Sequence, residues 1–377
     1  MKTRKILILC ILIILFNISK VFASVEFPQT SAQSAVLIDG SSCRVLWGKN
    51  IDEKLPMAST TKIMTALVAI ESQNINRVVT IPEVAQGVEG SSIYLTAGEH
   101  LTLEELLYGL MLRSGNDAAT AIAYDVGGGS IEKFVSLMNA TAKRIGAYNT
   151  NFENPHGLHS DNHYTTAHDL AKITAYALKN DKFKEIVSTK YKEIPWEGSQ
   201  WNRVLKNNNK LLWSFEGANG VKTGFTQKAG RCLVSSANRN DLQLVLVLLN
   251  CGPMFEESSA ILEYGFNIYK SRQILSNSDA VISIPVDNGI FDSIVLYPIE
   301  DYSMALTDAE YENLKITMDI PNVIKAPIKK GKIYGNIIIS INNEVIKEVP
   351  LVSKSYVADR YFGLPMKKLF ELWNKKG

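Results

Sequence analysis

Three short groups of chemistry-bearing residues occur in this chain in one order and far apart: Ser59-Thr60-Thr61-Lys62, Ser114-Gly115-Asn116 and Lys222-Thr223-Gly224. Their leading residues are separated by 55 and 108 positions, so a shared site must be assembled from distant segments of one domain. Together they offer a hydroxyl nucleophile, a basic amine, a second hydroxyl able to shuttle a proton, and a cation for an anionic substrate. Acyl transfer through a serine ester needs these parts.

Uniqueness and context separate these groups from look-alikes. Lys-Thr-Gly occurs once, whereas Ser130-Ile131-Glu132-Lys133 repeats the Ser-x-x-Lys spacing. That second copy follows a glycine run and reads as a capped helix start with a solvated lysine. Ser160-Asp161-Asn162 competes with Ser114-Gly115-Asn116 for the middle position, but its Pro/Gly-punctuated surroundings read as loop. Ser114 instead falls between two helical patterns, Leu103 to Leu112 and Asp117 to Tyr124, a junction that can hold side chains rigidly. Ser59 opens a further helical run, so Lys62 at i+3 shares its face. A lysine can act as base only when neutral, which calls for burial or a cationic neighbour such as Lys222.

The surrounding pattern predicts a mixed α/β fold. Ser34–Ile38 and Cys43–Trp47 read as a hairpin, helical segments run to about Lys179, and Thr166 with Asp169 signals a helix start. Strands return at Lys222, Arg231–Ala237 and Leu242–Leu249, the last apolar on both faces and therefore central. A helix from about Glu256 to Tyr269 follows. Beyond Ser271 come short alternating strands, with Asn342-Asn343 as a tight turn, as in a small β domain.

The three motifs, with Leu112-Arg113-Ser114-Gly115-Asn116-Asp117-Ala118-Ala119 around the second, resemble the serine D-Ala-D-Ala carboxypeptidases, the low-molecular-mass penicillin-binding proteins. The resemblance covers nearly the whole chain after residue 23. It implies a penicillin-recognising (β-lactamase/transpeptidase-like) serine enzyme domain, an antiparallel sheet from both chain ends plus a helical cluster, followed by a small all-β domain. Ser59 would be the acyl-ester nucleophile, Lys62 the general base and Ser114 the proton relay. Asn116 would position Lys62 or the substrate. Lys222, Thr223 and Gly224 would bind substrate along the strand, and the backbone N–H groups of Ser59 and of Phe225 or Thr226 would form the oxyanion hole. The implied partners are peptidoglycan stem peptides ending in D-Ala-D-Ala, with β-lactams as covalent inhibitors and no cofactor or metal. Two departures stand out: Phe225 replaces a histidine found in some relatives, and Cys251–Glu257 lacks the arginine that some carry for the substrate carboxylate.

Two alternatives fit the residues less well. A class A β-lactamase needs Glu-x-x-x-Asn between the second and third motifs, and no glutamate there has Asn four residues on. A non-catalytic peptidoglycan or penicillin sensor would not need all three motifs. The five histidines do not form a metal set; His159 and His163 are four apart but on a loop-like segment.

The ends of the chain speak to location. Lys2, Arg4 and Lys5 precede an apolar run from Ile6 to Phe16, and Val21-Phe22-Ala23 offers a cleavage site, so residues 1–23 read as a secretory signal peptide. Without them the chain carries 36 basic and 38 acidic residues, which gives no case for nucleic-acid binding. Cys43, Cys232 and Cys251 then read as buried thiols, a single bridge remaining open. The expected organisation is a catalytic domain over 24–272, a β domain over 273–355 and an amphipathic segment over 356–377. In that segment Pro365 would start a helix whose Leu369, Phe370 and Trp373 lie against a membrane surface. The protein is thus expected outside the cytoplasm, on the outer face of the cytoplasmic membrane or in the wall.

Overall fold

The computed structural model describes residues 27–72, 74–360 and 373. The expected signal peptide, and the expected membrane segment apart from 356–360 and 373, lie outside the described residues.

A five-stranded antiparallel sheet organises the first part of the chain, in the order Val45–Lys49, Ser34–Asp39, Leu242–Leu249, Gly230–Arg239, Ala218–Thr226. Leu242–Leu249 is central, as its two-faced apolar character predicts, and its alternation divides the core. Val245, Val247 and Leu249 pack with the helical cluster, whereas Leu244, Leu246 and Leu248 pack against Ile261 and Leu262 of the helix Met254–Ile268. The turn at Asn240-Asp241 has positive φ at both residues, the two-residue hairpin geometry that matches strand twist.

The helical cluster comprises Lys62–Ser72, Leu103–Leu112, Asn116–Val126, Ile131–Ile145, Ala167–Ala177 and Asp181–Ser188. Its starts are written locally. Thr102 and Glu105 form a reciprocal capping box, and the hydroxyls of Ser130 and Thr166 accept from Lys133 N and Asp169 N. The Ser130–Lys133 pair is therefore the exposed cap that its context predicts.

The second part holds a six-stranded sheet in the order Leu314–Asp319, Ile333–Ile341, Glu344–Ser353, Ser293–Pro298, Ile282–Asp287, Ile324–Lys325. Asn342 and Asn343 make the expected hairpin turn, both at positive φ. Among the strands that the pattern does not predict, Lys270–Leu275 pairs with Tyr302–Leu306 and runs across the expected boundary at 272/273. This ribbon ties the two parts together. Buried Asp39 accepts from Ala305 N at 2.9 Å, and Arg44 donates to Ala305 O and pairs with Glu310.

Candidate active site

The three motifs converge where the helical cluster meets the sheet edge. Ser59 lies in a 3-10 turn, Ala58–Thr61, that runs directly into the helix Lys62–Ser72. The expected helix start thus begins as a tighter turn, entered through Ala58 at φ +49. Thr60 Oγ1 donates to Met57 O at 2.6 Å, and Thr61 Oγ1 donates to Ala58 O at 2.8 Å. Each hydroxyl adds a donor to a carbonyl of the tight turn, and Met57 O accepts from Thr60 N as well, at 3.3 Å.

Lys62 follows one turn on and is completely buried. Its Nζ lies 2.9 Å from Ser59 Oγ, 2.6 Å from Asn116 Oδ1 and 2.7 Å from His156 O. Burial, helped by the nearby charge of Lys222 and opposed by Asp117, drives its proton affinity well below that of an ordinary lysine. A neutral amine has two N–H bonds and one lone pair. With the N–H bonds on Asn116 Oδ1 and His156 O, the lone pair faces Ser59 Oγ, the arrangement needed to take the hydroxyl proton.

Asn116 is held on its other side, where Nδ2 donates to Glu89 O at 2.5 Å. Ser114, the expected relay, is at φ +64 between the helices Leu103–Leu112 and Asn116–Val126. That backbone region is uncommon for a residue with a Cβ and typical of constrained sites. Ser160, the rejected alternative, is on an exposed loop with its hydroxyl on Glu153.

Lys222 and Thr223 belong to Ala218–Thr226, the strand at the open edge of the sheet. Lys222 is also buried; its Nζ donates to Thr223 O at 2.9 Å, and burial lowers its pKa to about 7. Gly224 has a definite reason to be glycine. A Cβ there would sit 2.9 Å from Ser59 N and 3.1 Å from Thr60 N, so the missing side chain lets the strand press against the nucleophile turn. An edge strand leaves alternate backbone groups unpaired, and Phe225 and Thr226 follow directly on this contact in that strand.

Ser59, Ser114, Thr223 and Gly224 open onto one cavity of about 320 Å³, shared with Ser91, Asn208, Phe225 and Arg231. Lys62, Asn116 and Lys222 are buried behind that surface. Arg231 is a cavity cation that the motifs do not reveal, and Cys251–Glu257 has none. In that stretch Glu257 anchors the N-terminal segment, accepting from Thr30 Oγ1, Ser31 Oγ and Cys251 Sγ. The available signal was register: Arg231 stands at the start of the strand that follows the turn at 227–229 and pairs across the strands with Phe225, beside the third motif.

Two more groups were not legible from the motifs. Asp117 accepts from Ser92 Oγ, Ile93 N and Leu95 N, fixing the loop that brings Ser91 to the cavity. The Asn154–Leu158 loop backs the nucleophile turn. Gly157, at φ +90, would place a Cβ 1.9 Å from Ala58 O, and Thr65 donates to Pro155 O. His163 completes this support. Its Nδ1 accepts from Glu153 N, so its proton is on Nε2 and is donated to Thr61 Oγ1 at 2.8 Å. Burial lowers its pKa to about 4 and keeps it neutral.

Comparison with known proteins settles the family. Residues 21–252 match the family described as D-alanyl-D-alanine carboxypeptidase, and residues 269–359 match the penicillin-binding protein 5 C-terminal domain. The chain belongs to the D-alanyl-D-alanine carboxypeptidase family of low-molecular-mass penicillin-binding proteins. It is 32% identical over 368 residues to the D-alanyl-D-alanine carboxypeptidase DacF of Bacillus subtilis, covering 94% of each chain. To DacC of Escherichia coli it is 32% identical, over 90% of this chain and 87% of the relative. Penicillin-binding protein 5 of Haemophilus influenzae superimposes with a TM-score of 0.78 at 28% identity, covering 89% of this chain and 99% of that one.

Proposed function

We propose that this protein is a serine D-Ala-D-Ala carboxypeptidase that removes the terminal D-alanine from peptidoglycan stem peptides through an acyl-enzyme on Ser59. The observation that carries this reading is the buried Lys62 amine, 2.9 Å from Ser59 Oγ, with its other contacts on Asn116 and His156. In acylation Lys62 takes the Ser59 proton as Oγ attacks the penultimate D-Ala carbonyl. The backbone N–H groups of Ser59 and of Phe225 or Thr226 hold the developing oxyanion. Ser114 relays the proton taken up by Lys62 to the leaving amine of the terminal D-alanine, which returns Lys62 to its neutral form, and the peptidyl ester remains on Ser59. Water then attacks that ester with Lys62 again as base, releasing the shortened peptide and restoring the serine.

Thr223 and Arg231 bind the terminal carboxylate, Thr223 by its hydroxyl and Arg231 as the exposed cation of the cavity. A β-lactam acylates the same serine. Residues 1–23 direct export, and the segment from 356 holds the enzyme at the outer face of the cytoplasmic membrane. No helix among the described residues is long and apolar enough to cross a membrane. The activity is tested with diacetyl-Lys-D-Ala-D-Ala beside nitrocefin. Catalytic D-alanine release with only stoichiometric nitrocefin opening is expected; sustained nitrocefin hydrolysis without D-alanine release would favour a β-lactamase, and no turnover of either a sensor.

A further inference from the structure

The catalytic cavity adjoins a second one of about 310 Å³. Ser91 and Ser114 line the first, and their chain neighbours Ser92 and Arg113 line the second, so the two share a wall. The far side of the second cavity is rigid. Buried Arg203 pairs with both carboxylate oxygens of Glu99 and donates to the carbonyls of Ile93, Tyr94 and Pro195. The Trp196 ring lies over that guanidinium at 4.8 Å. The charge of Arg203 is therefore neutralised within the fold, and its role is to hold the aromatic wall in place.

Arg113 differs in every respect. It is exposed, its side chain makes a 3.4 Å contact with Asn208 Oδ1, and the ion pairs of the described residues do not include it. A half-apolar cavity with one unpaired guanidinium at its mouth suits a short chain segment carrying a carboxylate. The carboxypeptidase reading, on which this inference rests, fixes which part of the substrate that is. The leaving group is a single residue whose carboxylate lies toward Thr223 and Arg231. Substrate that extends past the first cavity is therefore on the amino side of the scissile bond.

We propose that the second cavity is a subsite for the upstream stem peptide, in which Arg113 pairs with a carboxylate of that segment. Two sources supply such a group: the free α-carboxylate of a γ-linked D-glutamyl residue, and the side-chain carboxylate of a diamino-diacid at the third position. The subsite would let the enzyme sense whether the stem peptide is amidated.

The test measures D-alanine release by the mature enzyme from four substrates. These are diacetyl-Lys-D-Ala-D-Ala, a pentapeptide with both carboxylates, its D-isoglutamine counterpart, and the counterpart with lysine at the third position. The wild type is expected to favour the doubly anionic peptide over one of the two matched peptides by about tenfold in kcat/KM, through KM, and the disfavoured peptide identifies the source. Arg113→Gln should bring that ratio close to one, and Arg113→Lys should retain part of it. Equal kcat/KM on the three pentapeptides, or an Arg113→Gln enzyme that keeps the preference, overturns the subsite while leaving the carboxypeptidase reading intact. Absence of turnover on every substrate, including the short tripeptide, overturns both.

Discussion

Lys62 and Lys222 come from the first and third motifs, are both excluded from solvent, and lie close enough for the charge on Lys222 to weaken the hold of Lys62 on its proton. A single buried lysine is costly to charge, and burial lowers the proton affinity of both. In the acylation proposed above, Lys62 acts as a neutral amine beside Ser59. Lys222, whose pKa is about 7, can be charged when an anionic substrate arrives.

This coupling has a definite sign. Removing the positive charge in Lys222→Gln should raise the pKa of Lys62, so that more of it is protonated and inactive at a given pH. The acid limb of the acylation rate should move to higher pH, and acylation near neutrality should fall tenfold or more, since a charge-assisted contact is worth about 1.5–3 kcal/mol. Stopped-flow acylation by a fluorescent penicillin between about pH 5 and 10 measures both effects. An acid limb that stays where the wild type has it would mean that Lys222 does not tune Lys62.

Gly157 provides a geometric test of the turn that carries the nucleophile. Its φ is +90, and a Cβ would meet Ala58 O at 1.9 Å. Gly157→Ala should therefore displace the Ala58–Thr61 turn and lower acylation by more than tenfold, a loss typical of misplaced reacting groups. Circular dichroism should still report a folded enzyme. Wild-type acylation kinetics would show that the loop is not a support.

The motifs were legible because they are chemistry in a fixed residue order, and the central strand because Leu244 and Val245 onward are apolar on both faces. The hairpin turns at Asn240-Asp241 and Asn342-Asn343 were legible because few residues accept positive φ in succession. Arg231, Asp117 and His163 were hidden for a different reason. Each acts through a neighbour distant in sequence: Phe225 across the sheet, the Ser92–Leu95 loop, and Thr61. The ribbon Lys270–Leu275 with Tyr302–Leu306 was missed because its pairing spans a presumed domain boundary, where short alternating segments carry no information about partners.

Arg231 should matter to substrate recognition more than to nucleophile activation. Arg231→Gln is expected to raise KM for diacetyl-Lys-D-Ala-D-Ala about tenfold or more with a smaller change in kcat. The discrimination between that peptide and its C-terminal carboxamide should narrow. Unaltered discrimination would assign the carboxylate to another cation.

Membrane association is expected to reside in the last residues. Tyr356 to Gly377 holds five basic residues against two acidic, with aromatic and aliphatic side chains between them. Such a segment binds an anionic interface rather than spanning it. Deleting Tyr361 to Gly377 should abolish binding to anionic vesicles in a sedimentation assay and leave D-alanine release intact. Vesicle binding that survives the deletion would refute the anchor.

The account depends above all on Ser59 as the acylated atom, and intact-mass spectrometry after treatment with penicillin tests this directly. The wild type should gain one penicilloyl mass, Ser130→Ala and Ser160→Ala should gain the same, and Ser59→Ala should gain none. An adduct that persists on the Ser59→Ala protein, or maps to Ser130 or Ser160, would contradict the site as described.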